Sequence, residues 1–408
     1  MRKVALLLVI LSLVALPGRC ELDLNPAPAP ETPPRPALAP LSDAPLEEGL
    51  PFDVACGAVL LAEQDSGQVI LEMNADTPRP VASVTKLMTI LLTLEALDGG
   101  RVAQDDVVTV SDTAAGMGGS QVLLDAGERQ TVGQLLKAMV VGSANDAAVA
   151  LAEVLYGGEA ACAAEMNRRA KALGMADTMF VNCTGLPAEG QHTTARDVAR
   201  MSRAVFSHER YYEFSRLWME DFDHGDGRVT QLVNTNRLIR LMDGCDGGKT
   251  GSTREAGYCI SATARRGDMR LVAVVLGAGS GKERFAIARQ LLEYGFANYR
   301  RYPVAAKGAR IRGGLPVTGG RRDAVSLMLD GDLTLLVPRG GEGAVELIPE
   351  LPERLAAPVA AGQVVGSVTV KQGGRAVARI PVVACEDVEP RGLGSGLRRL
   401  WRAWPTAG

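Results

Sequence analysis

A chain of 408 residues with 47% hydrophobic and 22% charged residues has an ordinary globular composition and can bury a sizeable core, enough for more than one domain. Its formal net charge of −3 excludes a global pull towards nucleic acid, so an anionic ligand would have to be met by a local patch. Eight lysines stand against 36 arginines, so a lysine inside a polar cluster draws notice for its titratable amine.

In chain order, Met1-Arg2-Lys3 precedes an apolar run from Val4 to Leu16 that is too short to span a bilayer comfortably, which predicts a secretory signal over residues 1–20. Cys20 follows an arginine, the wrong residue for a lipoprotein box. Residues 21–51, dense in Pro and Ala from Asn25 to Pro51, read as an extended linker without a core, so folding is expected to start near Phe52. Export permits disulfides among Cys56, Cys162, Cys183, Cys245, Cys259 and Cys385, but their spacing selects no pairing, and small buried thiols fit as well. Neither the cysteines nor His192, His208 and His224 show metal-ligand spacing, so no metal or cofactor is expected.

Ala58–Leu61 and Gln68–Leu71, joined by Asp65-Ser66-Gly67, predict a hairpin. A helix is expected from about Val84 to Leu97, stopped by Asp98-Gly99-Gly100. Further helices are expected at Val132–Val141, Asp146–Leu155, Ala160–Leu173 and Thr194–Phe206. β runs return at Ala256–Ala264 and Met269–Gly277, before a helix from about Lys282 to Tyr299. Strands at both ends with helices between predict one sheet built from distant segments, an α+β domain spanning residues 52–302. Beyond Pro303, short alternating runs separated by glycines, such as Ala324–Met328, Leu333–Val337 and Val364–Val370, predict a small all-β domain over 303–388. In the tail, 389–408, Leu393, Leu397, Leu400, Trp401 and Trp404 fall on one helical face, and Arg398, Arg399 and Arg402 take the other. That is the pattern of a helix lying in a membrane surface.

Three polar clusters carry the chemistry. Ser83 and Lys86 are three residues apart where an apolar helical run begins, so hydroxyl and amine share a face as a nucleophile beside its base. Lysine can act as that base only if burial or a second cation makes its neutral form accessible, which predicts another positive charge near Lys86. Ser143-Ala144-Asn145 sits between two apolar helical runs, where a loop can point a hydroxyl and an amide into a cleft. Lys249-Thr250-Gly251-Ser252, framed by Asp246-Gly247-Gly248, is expected to lead directly into a strand. Singly each is a weak signal, but S-x-x-K with a second Ser/Asn element and K-T-G is a known combination of β-lactamases and penicillin-binding proteins.

From about residue 52 onwards the chain therefore resembles a low-molecular-weight penicillin-binding protein, a serine-type D-alanyl-D-alanine carboxypeptidase with a penicillin-recognising (β-lactamase/transpeptidase-like) domain, a small β domain and an amphipathic anchor. Ser143-Ala144-Asn145-Asp146-Ala147, Asp246-Gly247-Gly248-Lys249-Thr250-Gly251, Asn182-Cys183-Thr184-Gly185-Leu186 and Thr194-Ala195-Arg196-Asp197 narrow the resemblance to this branch, with Cys183 where relatives often carry proline. The resemblance implies that Ser83 attacks the carbonyl between two terminal D-alanines while Lys86 takes its proton. It implies that Lys249 supplies the positive field keeping Lys86 partly neutral, and that Ser143 passes a proton to the departing D-alanine. Asn145 would orient Lys86 and hold a substrate amide, and the backbone N–H groups of Ser83 and Ser252 would form the oxyanion hole. Thr250, Ser252 and Arg284 would bind the substrate carboxylate, with Gly251 letting the peptide lie along the strand edge. The implied partners are peptidoglycan stem peptides ending in D-Ala-D-Ala, β-lactam antibiotics and, through the tail, a membrane surface, in an exported protein of the cell envelope or periplasm. Three alternatives remain at this stage. A β-lactamase would need a glutamate for deacylation, and Glu189 is the only such residue near the Asn182–His192 loop. The others are a transpeptidase and a catalytically silent envelope-binding module.

Overall fold

The computed structural model describes residues 38–392 apart from 341–344 and 373. The expected signal segment, most of the expected linker and the amphipathic residues from Leu393 onwards lie outside the described residues.

The predicted hairpin is present as β1 (Ala58–Glu63) and β2 (Val69–Met73). A short 3-10 turn, Ala82–Thr85, runs into α1 (Lys86–Asp98), followed by β3 (Val107–Thr109), α2 (Asp112–Ala115) and β4 (Arg129–Thr131). A helical stretch holds α3 (Val132–Val141), α4 (Asn145–Tyr156), α5 (Glu159–Ala172), α6 (Ala195–Phe206) and α7 (Glu209–Ser215). After a hairpin of β5 (Met219–Asp223) and β6 (Val229–Val233) and the single turn α8 (Leu238–Leu241) come β7 (Cys245–Thr253), β8 (Gly257–Arg266), β9 (Met269–Ala278) and α9 (Gly281–Asn298). Sequence reading passed over α7 and the β5–β6 hairpin. It also placed Lys249-Thr250-Gly251 ahead of a strand, whereas these residues lie in the middle of β7. Glycines at 247, 248 and 251 deprive that strand of its apolar alternation, which hid it.

The sheet is antiparallel with order β2-β1-β9-β8-β7. Strand β9 is buried along nearly its whole length because both faces are covered. Leu60, Val272, Val274 and Leu276 pack with α1, α3, α4 and α6, while Leu61, Ala273 and Val275 pack under Ile287, Leu291 and Leu292 of α9, the alternation a two-sided strand requires. Helix α1 is apolar almost all round and buried from Lys86 to Leu94, so Lys86 enters the domain core from its first turn. Side-chain caps fix the starts of neighbouring helices: Thr131 accepts from the Gln134 amide, Thr194 from Asp197 and Ser280 from Glu283.

The expectation that folding starts near Phe52 is corrected. Leu41 is buried in the helical core, Leu46 and Leu50 pack against the α9 side, and Ser42, Leu46 and Glu47 donate backbone hydrogen bonds to Gly67, Val69 and Ile70. Glu47 also accepts from the hydroxyls of Tyr294 and Tyr299 at 2.6 Å each. Leucines spaced along an otherwise Pro/Ala-rich segment supply the anchor that composition alone concealed.

The C-terminal part is all-β. A six-stranded sheet contains Arg310–Thr318, Ala324–Leu329, Val345–Glu350, Leu355–Ala356, Val364–Gln372 and Arg375–Ala384, beside an antiparallel pair, Tyr299–Ala305 with Leu333–Pro338. It has its own apolar core, and Leu336 ties it to the first domain by donating its amide to Gln68 Oε1. Hydrogen-bonded structure continues to Arg391, whose amide reaches the Gly319 carbonyl, so the tail expected from 389 begins later than that.

Candidate active site

Two hydroxyl–amine pairs occupy the cleft between β7, the 3-10 turn and the helical region. In the first, Ser83 lies on the 3-10 turn and Lys86 is the first residue of α1. Residues i and i+3 eclipse one another in 3-10 geometry, which sets Lys86 Nζ 2.9 Å from Ser83 Oγ. The same nitrogen lies 2.5 Å from Asn145 Oδ1 and 2.7 Å from the Thr184 carbonyl oxygen. Both of these are obligatory acceptors. A neutral amine has two N–H groups and one lone pair, so once the two carbonyl-type oxygens take the N–H groups, the lone pair is left for the Ser83 O–H.

Burial makes that neutral state accessible. Lys86 is completely enclosed, and desolvation lowers its pKa to about 7. Of the two causes expected, burial or a second cation, enclosure in the core is the one that dominates. Asp146 opposes the shift electrostatically, but its carboxylate is held by the amides of Val122, Leu123, Leu124 and Ala147.

The second pair is Ser143 and Lys249, with Nζ 2.7 Å from Oγ and 3.0 Å from the Thr250 carbonyl. Lys249 is also driven well below its ordinary range, by burial first and then by the charges of Lys86 and Arg284. Ser143 has a φ of +64° and Ala82, just before Ser83, a φ of +49°. Non-glycine residues held there cost roughly 1–3 kcal/mol each, and such sites cluster where function fixes a side chain's aim.

The scaffold explains the unusual residues around these pairs. Asn145 donates its amide N–H to the Gly118 carbonyl, which fixes Oδ1 towards Lys86. Asn182 Oδ1 accepts from the amides of Thr184 and Gly185, bending the loop so that the Thr184 carbonyl faces Lys86. Gly185 has a φ of +82°, and a Cβ there would collide with the Ala82 carbonyl. A Cβ on Gly251 would sit 2.5 Å from the Val81 oxygen and 2.8 Å from the Ser83 nitrogen. Gly251 thus admits the turn that carries Ser83 against β7, a close approach that sequence reading did not foresee. The contact also places the Ser83 amide beside the strand segment that carries Ser252, which is exposed at the cleft mouth. Strand β7 is braced behind Lys249 by the Tyr211 hydroxyl, 3.0 Å from both the Gly248 nitrogen and oxygen, and by the bidentate pair of Arg270 with Asp246.

Arg284, half-buried on α9, donates to the Gly251 carbonyl at 3.1 Å and stacks between Tyr258 and Phe285. Thr250 is buried in β7. Glu189 is exposed, and among the described residues no carboxylate hydrogen-bonds Ser83 or Lys86.

Comparison with known proteins identifies the family. Residues 44–280 match the family model for D-alanyl-D-alanine carboxypeptidase, and residues 299–390 match that of the penicillin-binding protein 5 C-terminal domain. The chain belongs to the D-alanyl-D-alanine carboxypeptidase family. It is 36% identical over 348 residues to the D-alanyl-D-alanine carboxypeptidase DacF of Bacillus subtilis, covering 85% of this chain and 89% of the relative. It is 33% identical over 365 residues to DacD of Escherichia coli, covering 86% and 92%. The structure of penicillin-binding protein 5 from Haemophilus influenzae superposes with a TM-score of 0.76 at 30% identity, covering 84% of this chain and all of that one. The fold is thus the penicillin-binding peptidase fold followed by its all-β domain, and the family's activity is serine-type D-alanyl-D-alanine carboxypeptidase chemistry.

Of the residues singled out in the sequence, the structure joins Ser83, Lys86 and Asn145 in one hydrogen-bonded group and Ser143 with Lys249 in another. Sequence reading missed the Thr184 carbonyl, because a backbone acceptor leaves no side-chain signature. The Asn-x-Thr-Gly turn that presents it was the available signal. Tyr211 gave none, since an aromatic residue in a helix reads as core. The cysteines Cys162, Cys183, Cys245 and Cys259 are buried thiols, and Cys56 and Cys385, partly exposed, are also unpaired.

Proposed function

We propose that Ser83 is the nucleophile of this carboxypeptidase and Lys86 its general base, acting on peptidoglycan stem peptides that end in D-Ala-D-Ala. The observation that carries this assignment is the position of Lys86 Nζ, with two fixed acceptors on one side and Ser83 Oγ on the other. Ser83 Oγ bonds to the penultimate D-alanine carbonyl carbon as its proton moves to Lys86. The C–N bond then breaks and the leaving amine takes a proton through Ser143, which Lys249 holds. The amides of Ser83 and Ser252 are proposed to receive the developing oxyanion, and Lys249, Thr250, Ser252 and Arg284 to define the carboxylate side. Carboxylate binding raises the pKa of Lys249 and recharges it, so its depressed state without substrate is compatible with anion recognition. Water then releases the acyl group. The absence of a carboxylate bonded to Ser83 or Lys86 among the described residues favours this reading over a β-lactamase with a dedicated deacylating glutamate.

Incubating the protein with a D-Ala-D-Ala peptide is expected to release D-alanine, detected by mass spectrometry. Penicillin is expected to leave a long-lived adduct that peptide mapping places on Ser83. An adduct on another residue, or rapid turnover of the drug, would overturn the assignment.

The proposal extends to location. Residues 1–20 act as an export signal and the tail after Arg391 as an amphipathic anchor on the outer face of the cytoplasmic membrane, with the catalytic and β domains between them. No single helix among the described residues is long and apolar enough to cross a membrane. Removal of residues 393–408 is expected to release the protein from anionic vesicles while soluble-peptide hydrolysis continues, and unchanged vesicle binding would refute the anchor.

A further inference from the structure

The Thr184 carbonyl is one of the two acceptors that aim Lys86, yet it belongs to a loop. Whatever grips that loop decides how firmly the amine is directed. The residue before it, Cys183, is completely buried and is held from two helices. Its carbonyl accepts from the Thr89 hydroxyl at 2.7 Å, on α1 three residues after Lys86. Its amide and its thiol both donate to a single oxygen, Glu159 Oε1, at 3.3 Å each. Glu159 is the first residue of α5 and is only partly exposed.

The thiol suits this contact. Burial first, and then the Glu159 carboxylate, push its pKa far above the ordinary range, so it stays protonated and remains a donor. Proline, frequent at this position in relatives, has neither an N–H nor an S–H, so Glu159 would receive nothing from it. The hydrogen-bond partners of Lys86 are Ser83, Asn145 and Thr184, not Glu159. Any influence of Glu159 on the base therefore passes through the loop.

We infer that Glu159 is a positioning residue of the reaction: by holding the amide and thiol of Cys183 it fixes the Thr184 carbonyl against Lys86 and so keeps the amine aimed at Ser83. The inference rests on the assignment of Lys86 as the base. A carbonyl that receives an N–H from lysine favours the ammonium over the amine, because the charged form is the stronger donor. Loosening that carbonyl should spoil the aim of Lys86 and also weaken its hold on a proton. The signature is a lower rate plateau with the acid limb moved to lower pH, the opposite direction from removal of a neighbouring cation.

The test follows penicillin acylation of Ser83 across pH in wild type, Glu159→Ala and Glu159→Gln, with circular dichroism and Tm measured in parallel. In Glu159→Ala the plateau should fall about fivefold to tenfold and the limb should move down by less than about one pH unit. Glu159→Gln keeps an acceptor oxygen in place and should stay within about twofold of wild type with its limb unmoved. In a Cys183→Pro background, Glu159→Ala should cost nothing further, because the donors it served are gone. A Glu159→Ala variant that loses only Tm and keeps the wild-type plateau and limb overturns the inference. So does a Glu159→Gln variant as impaired as Glu159→Ala, or an equal further loss in the Cys183→Pro background. If Cys183→Pro does not fold, the two Glu159 variants decide alone. Wild-type labelling of Ser83 with a limb near pH 7 checks the base assignment in the same run: its absence refutes that assignment, and its presence beside an unaffected Glu159→Ala refutes only the positioning role.

Discussion

The two hydroxyl–amine pairs of the cleft have the same functional groups but different surroundings. Lys86 is enclosed by the core at the start of α1, and two rigid oxygens fix the direction of its lone pair. Lys249 stands in a strand, bonded to Ser143 and to the carbonyl of its own neighbour, with two further cations in reach. Enclosure with fixed acceptors suits an amine to act as a base, since it lowers the pKa to about 7 and aims the nitrogen at one hydroxyl. Placement in a strand beside other cations makes a site whose charge returns when an anion arrives. Chemical identity of the pair does not decide its role, whereas the number and rigidity of the other partners does.

The strongest way to break this comparison is Lys86→Arg. Arginine keeps the positive charge but stays protonated at any usable pH, so acylation by penicillin should fall by about a thousandfold or more. Circular dichroism would verify folding. Near wild-type acylation would mean that Lys86 only positions Ser83 and that another group is the base. Next in size, Ser143→Ala leaves Lys249 in place but removes the proton path to the leaving amine, and should lower kcat for the peptide by about a hundredfold. Penicillin acylation should suffer less than peptide turnover if the role is confined to the departing group, and an equal loss in both would assign Ser143 to the attack step.

The pH–rate profile sharpens the comparison further. Lys86 must be neutral to accept a proton and its pKa is depressed to about 7, so acylation should be slow at acid pH, rise through about pH 7 and then level off. A limb near the ordinary lysine range would contradict enclosure as the cause. The smallest shift is expected from Lys249→Gln. Removing a positive charge raises the pKa of Lys86 and moves the limb to higher pH, but burial remains, so the displacement should be less than about one unit. The larger consequence should appear in KM for peptides with a free terminal carboxylate. A limb displaced towards the lysine range would make Lys249, rather than burial, the main cause of the depression.

Much of this could be read from sequence because it is local. The spacing of Ser83 and Lys86, the apolar run that follows, the caps at Thr131, Thr194 and Ser280 and the sustained apolar strand Met269–Ala278 each state their structure within one or two turns of chain. Residue chemistry did the rest, since two lysines with two serines and an asparagine in a lysine-poor chain already imply a polar cleft with titratable amines. Only the tertiary structure could decide what those amines experience. The depression of Lys86 comes from the core closing over it and from a carbonyl 98 positions away, Gly251 is required by a turn more than 160 residues earlier, and the segment from Leu41 to Leu50 earns its place by packing on strands that follow it. Desolvation, steric approach and burial are properties of the assembled surroundings, and no short window of sequence contains them.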